Sequence, residues 1–147
     1  MNRRKSPLSP LSPLSDDDFG RLLAFRNGLR RFLRWSEEQA RAVGLTPAQH
    51  QLLLAVKGNG KPPSIGELAG HLMLRHHSVV ELADRAVRAG LVERVQNVGD
   101  QRIVRLRLTR DGEAKLTALS EAHLEELSRL RPRFESLWDQ LPEPASS

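Results

Sequence analysis

The sequence predicts a mainly α-helical fold with a single two-stranded β-hairpin, and three observations carry that expectation. Helix-start signals recur at Ser15, Thr46, Ser64 and Thr109, the first three followed at the capping-box spacing by Asp18, Gln49 and Glu67. Only between Gly90 and Thr109 does the pattern change to short, β-branched, arginine-rich runs. Apolar residues at helical spacing occupy both ends of the chain. With 147 residues, 39% hydrophobic and 28% charged, the chain suits one compact domain. Lys plus Arg number 23 against 18 Asp plus Glu, and the net charge of +5 favours a polyanionic partner, nucleic acid or anionic membrane. The absence of cysteine excludes disulfides, thiolate metal sites and cysteine redox sensing, and fits a cytoplasmic protein.

Residues 1–15 read as a basic, Pro-rich disordered tail. Met1-Asn2-Arg3-Arg4-Lys5 resembles the start of a signal peptide, but Ser-Pro-Leu triplets across residues 6–14 stand where its apolar stretch would be. Those prolines favour extended polyproline II, and no window reaches the roughly 18 apolar residues that cross a bilayer.

The first helix is expected from residue 16 to about Ala42, with Gly44 closing a segment 16–44. Phe19, Leu22, Leu23, Leu29 and Leu33 form one apolar stripe, and Phe25, Phe32 and Trp35 form another, so the helix needs two partners. Thr46-Pro47-Ala48-Gln49 opens a second helix, about 47–57, ended by Gly58. Ser64-Ile65-Gly66-Glu67 opens a third through Leu72, and a fourth spans about 76–89 before Gly90. Two short helices separated by about three residues suggest a helix-turn-helix. Leu91–Gln96 and Ile103–Leu108 read as strands, with Asn97-Val98-Gly99-Asp100-Gln101 as their turn. Thr109 caps a long helix carrying Leu116, Leu119, His123, Leu127 and Leu130, which Pro132 is expected to interrupt. Phe134, Leu137 and Leu141 would lie on a short last helix.

Three helices followed by a basic hairpin make a winged helix-turn-helix, here over residues 45–110. Residues 16–44 and 111–141 carry more apolar surface than a unit of about 65 residues covers, so they read as dimerisation helices of a homodimer, with 142–147 as a tail.

The expected ligand is double-stranded DNA, with the fourth helix in the major groove and the hairpin along the backbone or in the adjacent minor groove. A core stripe of Val79, Leu82, Ala83 and Ala86 turns His77, Ser78, Glu81, Arg85 and Arg88 outward, and Arg75 and His76 stand at the helix entrance. Histidine and serine hydrogen-bond base edges or phosphates, Glu81 accepts from a cytosine amino group, and arginines mostly anchor phosphate. Glu81 and Arg85 are also spaced to pair with each other, i to i+4, and Asp84 and Arg85 to pair with the first helix or the hairpin. The hairpin holds Arg94, Arg102, Arg105 and Arg107; Arg102 stands nearest the tip, where a guanidinium suits a narrow A·T-rich minor groove. Asp100, two residues earlier, is placed to orient it.

Taken with their order, several segments resemble the MarR family of winged-helix transcriptional regulators: Leu45-Thr46-Pro47-Ala48-Gln49, Ile65-Gly66-Glu67-Leu68-Ala69, Ala83-Asp84-Arg85, Ala89-Gly90-Leu91-Val92-Glu93-Arg94, Gly99-Asp100-Gln101-Arg102 and Leu108-Thr109-Arg110-Asp111-Gly112. The match in order and spacing runs from about residue 16 to 140. The resemblance implies a triangular α-helical homodimer, joined by its first and last helices, that binds pseudo-palindromic operators, commonly as a repressor, and often releases them on binding a small ligand. It places Arg102 in the minor groove. The wing departs from the family pattern at Gln101, where the first of two consecutive basic residues would stand. The resemblance also implies an effector cleft near the first, second and fifth helices, where Arg26, Arg30, Trp35, His50 and His123 would suit a small aromatic carboxylate or phenol.

Other readings are weaker. The five histidines include no i,i+4 pair, so a metal would need ligands converging from separate segments, and no cofactor is expected. His123 within its leucine stripe also fits a hydrogen-bonded core or interface residue. No nucleophile elbow, complete phosphate loop or metalloprotease helix is present; Gly58-Asn59-Gly60-Lys61 reads as a turn, so the protein is not expected to be an enzyme. Arginines at 21, 26, 30, 31 and 34 surround the first helix too widely for a membrane-surface anchor, so no membrane partner is expected. The alternative function is a winged-helix module that binds another protein and touches DNA only nonspecifically.

Overall fold

In a computed structural model, residues 14–97 and 99–144 are described, without the side chains of Asn97, Asp100 and Gln101. The elements run α1 (Asp16–Ala42), α2 (Pro47–Gly58), α3 (Ile65–Leu72), α4 (His76–Arg88), β1 (Val92–Asn97), β2 (Asp100–Leu108) and α5 (Arg110–Asp139). The mainly helical fold with a two-stranded wing is the one expected. The expectations for the tail through Pro13, for the last three residues and for the Asp100 carboxylate lie outside the described residues.

Helix starts form for the reasons visible in the sequence. The Ser15 hydroxyl accepts from the Asp18 N–H at 3.2 Å, while the Asp18 carboxylate accepts from the Ser15 N–H at 2.9 Å. Complete capping boxes join Thr46 to Gln49 and Ser64 to Glu67, and the Thr109 hydroxyl accepts from the Gly112 N–H at 3.1 Å. α2 ends at Gly58 as expected, with Gly58 as its last residue; Asn59 caps it, and Gly60 follows with a φ of +85° that suits glycine. One boundary needs correction. Pro132 does not interrupt the last helix, because α5 runs unbroken through it. Pro132 and Ser128, the residue whose carbonyl the proline cannot bond, are both exposed, and ion pairs Arg129–Glu126 and Arg131–Glu135 flank the site.

The chain divides into two compact units: Trp35–Glu125, and the flanking segments through Arg34 and from Glu126 onward. In the first unit α2, α3, α4, the hairpin and the nearer parts of α1 and α5 enclose Leu52, Leu53, Leu68, Val79, Leu91, Leu106 and Leu119. Each leucine side chain so buried stabilises by about 1.5–3 kcal/mol relative to exposure. In the second unit Phe25 lies edge-on to Phe134 and Trp138, at centroid distances of 6.2 and 5.6 Å. A Cβ on Gly28 would stand 3.3 Å from Leu137, so glycine lets the two helices approach there. One α1 stripe is thus covered. The other, Phe19, Leu22, Leu23, Leu29 and Leu33, stays exposed, reaching 58% at Phe19 and Leu33.

The hairpin is antiparallel, pairing Val92 with Leu108 through Gln96 with Val104, and then Asn97 with Asp100. The expected turn over 97–101 is shorter, since β2 already begins at Asp100. Between the last two pairs β1 advances one residue and β2 four, so Gln101, Arg102 and Ile103 lie in a bulge. Bulges redirect side chains out of the regular alternation. At the base of the wing, the Leu106 N–H donates to the Pro63 carbonyl at 3.0 Å, and Ser64 bridges Arg105.

Candidate nucleic-acid interface

Helix α4 buries Val79, Ala83 and Ala86 and exposes His76, His77, Glu81, Arg85 and Arg88, with Ser78 half-buried. The turn leading into it puts Met73 in the left-handed region, with φ of 52° and 90% exposure. Arg75 occupies the N-cap position and supplies no side-chain cap, unlike Thr46 and Ser64. Arg75 thus leaves the first N–H groups of α4 without a cap of its own, at a helix end whose dipole favours anions.

Asp84 of α4 pairs with Arg94 of β1, which ties the wing to the exposed helix and settles which of the spacings at Asp84 is used. Glu81 and Arg85 form no ion pair with each other among the described contacts. Arg107 donates to Glu93, its cross-strand partner, at 2.6 Å. Arg102 is exposed within the bulge. Arg105 is placed differently from the other arginines. Its guanidinium turns to the wing base and donates to the Pro62 carbonyl at 3.0 Å and to Glu67 at 2.9 Å. Nothing in the local sequence marks that pairing, because Glu67 lies 38 residues earlier.

Of the residues expected at an effector cleft, three converge within one unit. The His123 ring stands 4.8 Å from Trp35 and 4.9 Å from His50, centroid to centroid. His123 Nδ1 faces the Leu119 carbonyl at 2.7 Å and must donate to it, so in the neutral ring Nε2 accepts from the Ser36 hydroxyl, 2.6 Å away. His50 is only 8% exposed, and burial, followed by the neighbouring His123, lowers its pKa below the ordinary histidine value. Arg26 and Arg30 belong to the other unit, where both are exposed. Ser36 escapes sequence reasoning because a serine inside a helix carries no signal of a partner 87 residues away. Among the described residues, no three His, Cys, Asp or Glu side chains converge on a metal position, and no helix is long and apolar enough to cross a membrane.

Comparison with known proteins gives a consistent picture. Residues 43–103 match the model of the MarR family. YsmB, an uncharacterized HTH-type transcriptional regulator of Bacillus subtilis strain 168, is 36% identical over 77 residues, which is 52% of this chain and 51% of that protein. The HTH-type transcriptional repressor MdtR of the same strain is 32% identical over 78 residues, 53% of this chain and 50% of that protein. The chain thus spans about half the length of the curated relatives it matches. A solved MarR family protein from Bacillus stearothermophilus is 25% identical with a TM-score of 0.66, covering 80% of this chain and 82% of that one.

Proposed function

We propose that the chain, whose residues 43–103 match the model of the MarR family, is a winged helix-turn-helix regulator of that kind and regulates transcription by binding double-stranded DNA sequence-specifically. The observation that carries this reading is the joining of the outward face of α4 to a basic wing through Asp84 and Arg94. In this reading α4 enters the major groove and presents His76, His77, Ser78, Glu81 and Arg85 to base edges and phosphates. Arg75 and the uncapped start of α4 meet a phosphate, Arg94 steadies the wing beside the backbone, and Arg102 enters the minor groove. The name of MdtR supports a repressor, and a DNA-binding role in turn implies a cytoplasmic site of action.

The exposed stripe of α1, with Leu127 and Trp138 of α5, supports a homodimer, since apolar surface at this density is normally covered. A two-fold dimer in turn implies a pseudo-palindromic operator. Release by a small aromatic ligand is the finer part of the proposal, supported by the convergence of Trp35, His50 and His123. A mobility-shift assay against genomic fragments at physiological salt tests the reading. Retention of a few fragments is expected; uniform weak binding would favour a protein-binding module instead.

A further inference from the structure

One carboxylate gathers donors from three elements at the root of the wing. Glu67 closes the cap of α3, accepting from the Ser64 hydroxyl at 3.2 Å and facing the Ser64 N–H at 3.4 Å. The same oxygen, Oε1, accepts from Arg105 of β2 at 2.9 Å, and Oε2 accepts from the Asn59 amide at 3.3 Å. Asn59 caps α2, donates to the Lys61 carbonyl at 2.8 Å and, through Oδ1, meets His71 Nε2 at 2.9 Å. Arg105 adds its bond to the Pro62 carbonyl, and its side chain is 29% exposed, against 49% for Arg94 and 60% for Arg107. It is therefore the arginine of the wing least available to a ligand. The Glu67 carboxyl lies below its usual pKa range, chiefly because Arg105 donates to it.

An exposed ion pair of this kind contributes little to global stability. Its geometry does something else: it ties β2, three residues along the strand from Arg102, to the start of α3 and, through Asn59, to the end of α2. We propose that Glu67 is a positioning residue for the wing, holding Arg105 so that Arg102 meets the DNA, and that Arg105 serves as its anchor and not as a phosphate contact. The proposal rests on the DNA-binding reading and revises the part that sequence reasoning gave to Arg105.

The experiment is a double-mutant cycle in the full-length protein with Glu67→Gln, Arg105→Gln and both together. Gln at position 67 keeps the helix cap, since Gln49 closes the same box on α2. Affinity for a selected operator fragment is measured across a salt series, and amide exchange at Leu106, whose N–H bonds the Pro63 carbonyl, is measured without DNA. The expected result is a several-fold loss of affinity in each single variant, with the double variant no weaker than the worse single one. The salt slope stays unchanged, and exchange at Leu106 is faster in all three variants. Additive losses would overturn the proposal, as would undiminished affinity in Glu67→Gln or a salt slope about one unit shallower in Arg105→Gln, which would place Arg105 on a phosphate. If the wild type selects no DNA, the DNA-binding reading fails by itself, and unchanged exchange at Leu106 would still refute the clamp.

Discussion

The ring of His50 stands 4.9 Å from that of His123, inside a unit where His50 is almost wholly buried. Burial and then the proximity of His123 disfavour a proton on His50, so its folded pKa lies below the ordinary value. The unfolded chain therefore binds that proton more readily, and stability falls as pH drops below the ordinary histidine range of about 6.5. The wild-type melting temperature should fall more between pH 7.5 and 5.5 than that of His50→Gln. Equal falls would remove His50 as the cause.

Gly112 sits where α5 crosses the corner after α4, and a Cβ there would stand 2.0 Å from the Leu91 carbonyl oxygen. That contact is backbone against backbone, so it cannot be relieved by a rotamer change. Gly112→Ala should destabilise by about 1–3 kcal/mol or more, overriding the roughly 1 kcal/mol that alanine normally gains over glycine in a helix. Gly20, with nothing within 4 Å of its virtual Cβ, is the control, and Gly20→Ala should be stabilising. Denaturant unfolding monitored by circular dichroism distinguishes the two signs.

Leu33→Glu should convert a dimer to a monomer, because Leu33 is 58% exposed on the uncovered stripe of α1 and a carboxylate there would be desolvated in an interface. Light scattering after gel filtration reads the molar mass. A wild-type monomer, or a variant that stays dimeric, would argue against α1 as the interface.

Helix starts were legible because capping boxes are local: Thr46 with Gln49, and Ser64 with Glu67, bond within four residues. The face of α4 was legible for the same reason, since Val79, Ala83 and Ala86 recur at helical spacing. The unbroken α5 was not, because the residues around Pro132 lie exposed to solvent and the helix beyond it packs Phe134 and Leu137 near Gly28, a tertiary contact that local sequence does not show. Arg105 and Arg94 look alike in the sequence, yet one turns to Glu67 and the other to Asp84, choices made by tertiary neighbours. The bulge that carries Arg102 also depends on pairing across the hairpin, which composition alone does not set.

Arg102→Ala should weaken operator binding by about 1–3 kcal/mol while leaving the molar mass unchanged. Arg102 is exposed in the bulge, so truncation removes a guanidinium from the proposed DNA-facing surface without opening the core. Fluorescence anisotropy with a labelled operator measures the change, and full retention of affinity would exclude the wing tip from the interface.

The most direct test of the account is to sequence the DNA that the purified full-length protein selects from a random duplex library at physiological salt. The account predicts an enriched motif with two-fold related half-sites about one helical turn, 34–36 Å, apart, each read by one α4. Recovery of no motif, or of a motif without two-fold symmetry, would contradict it.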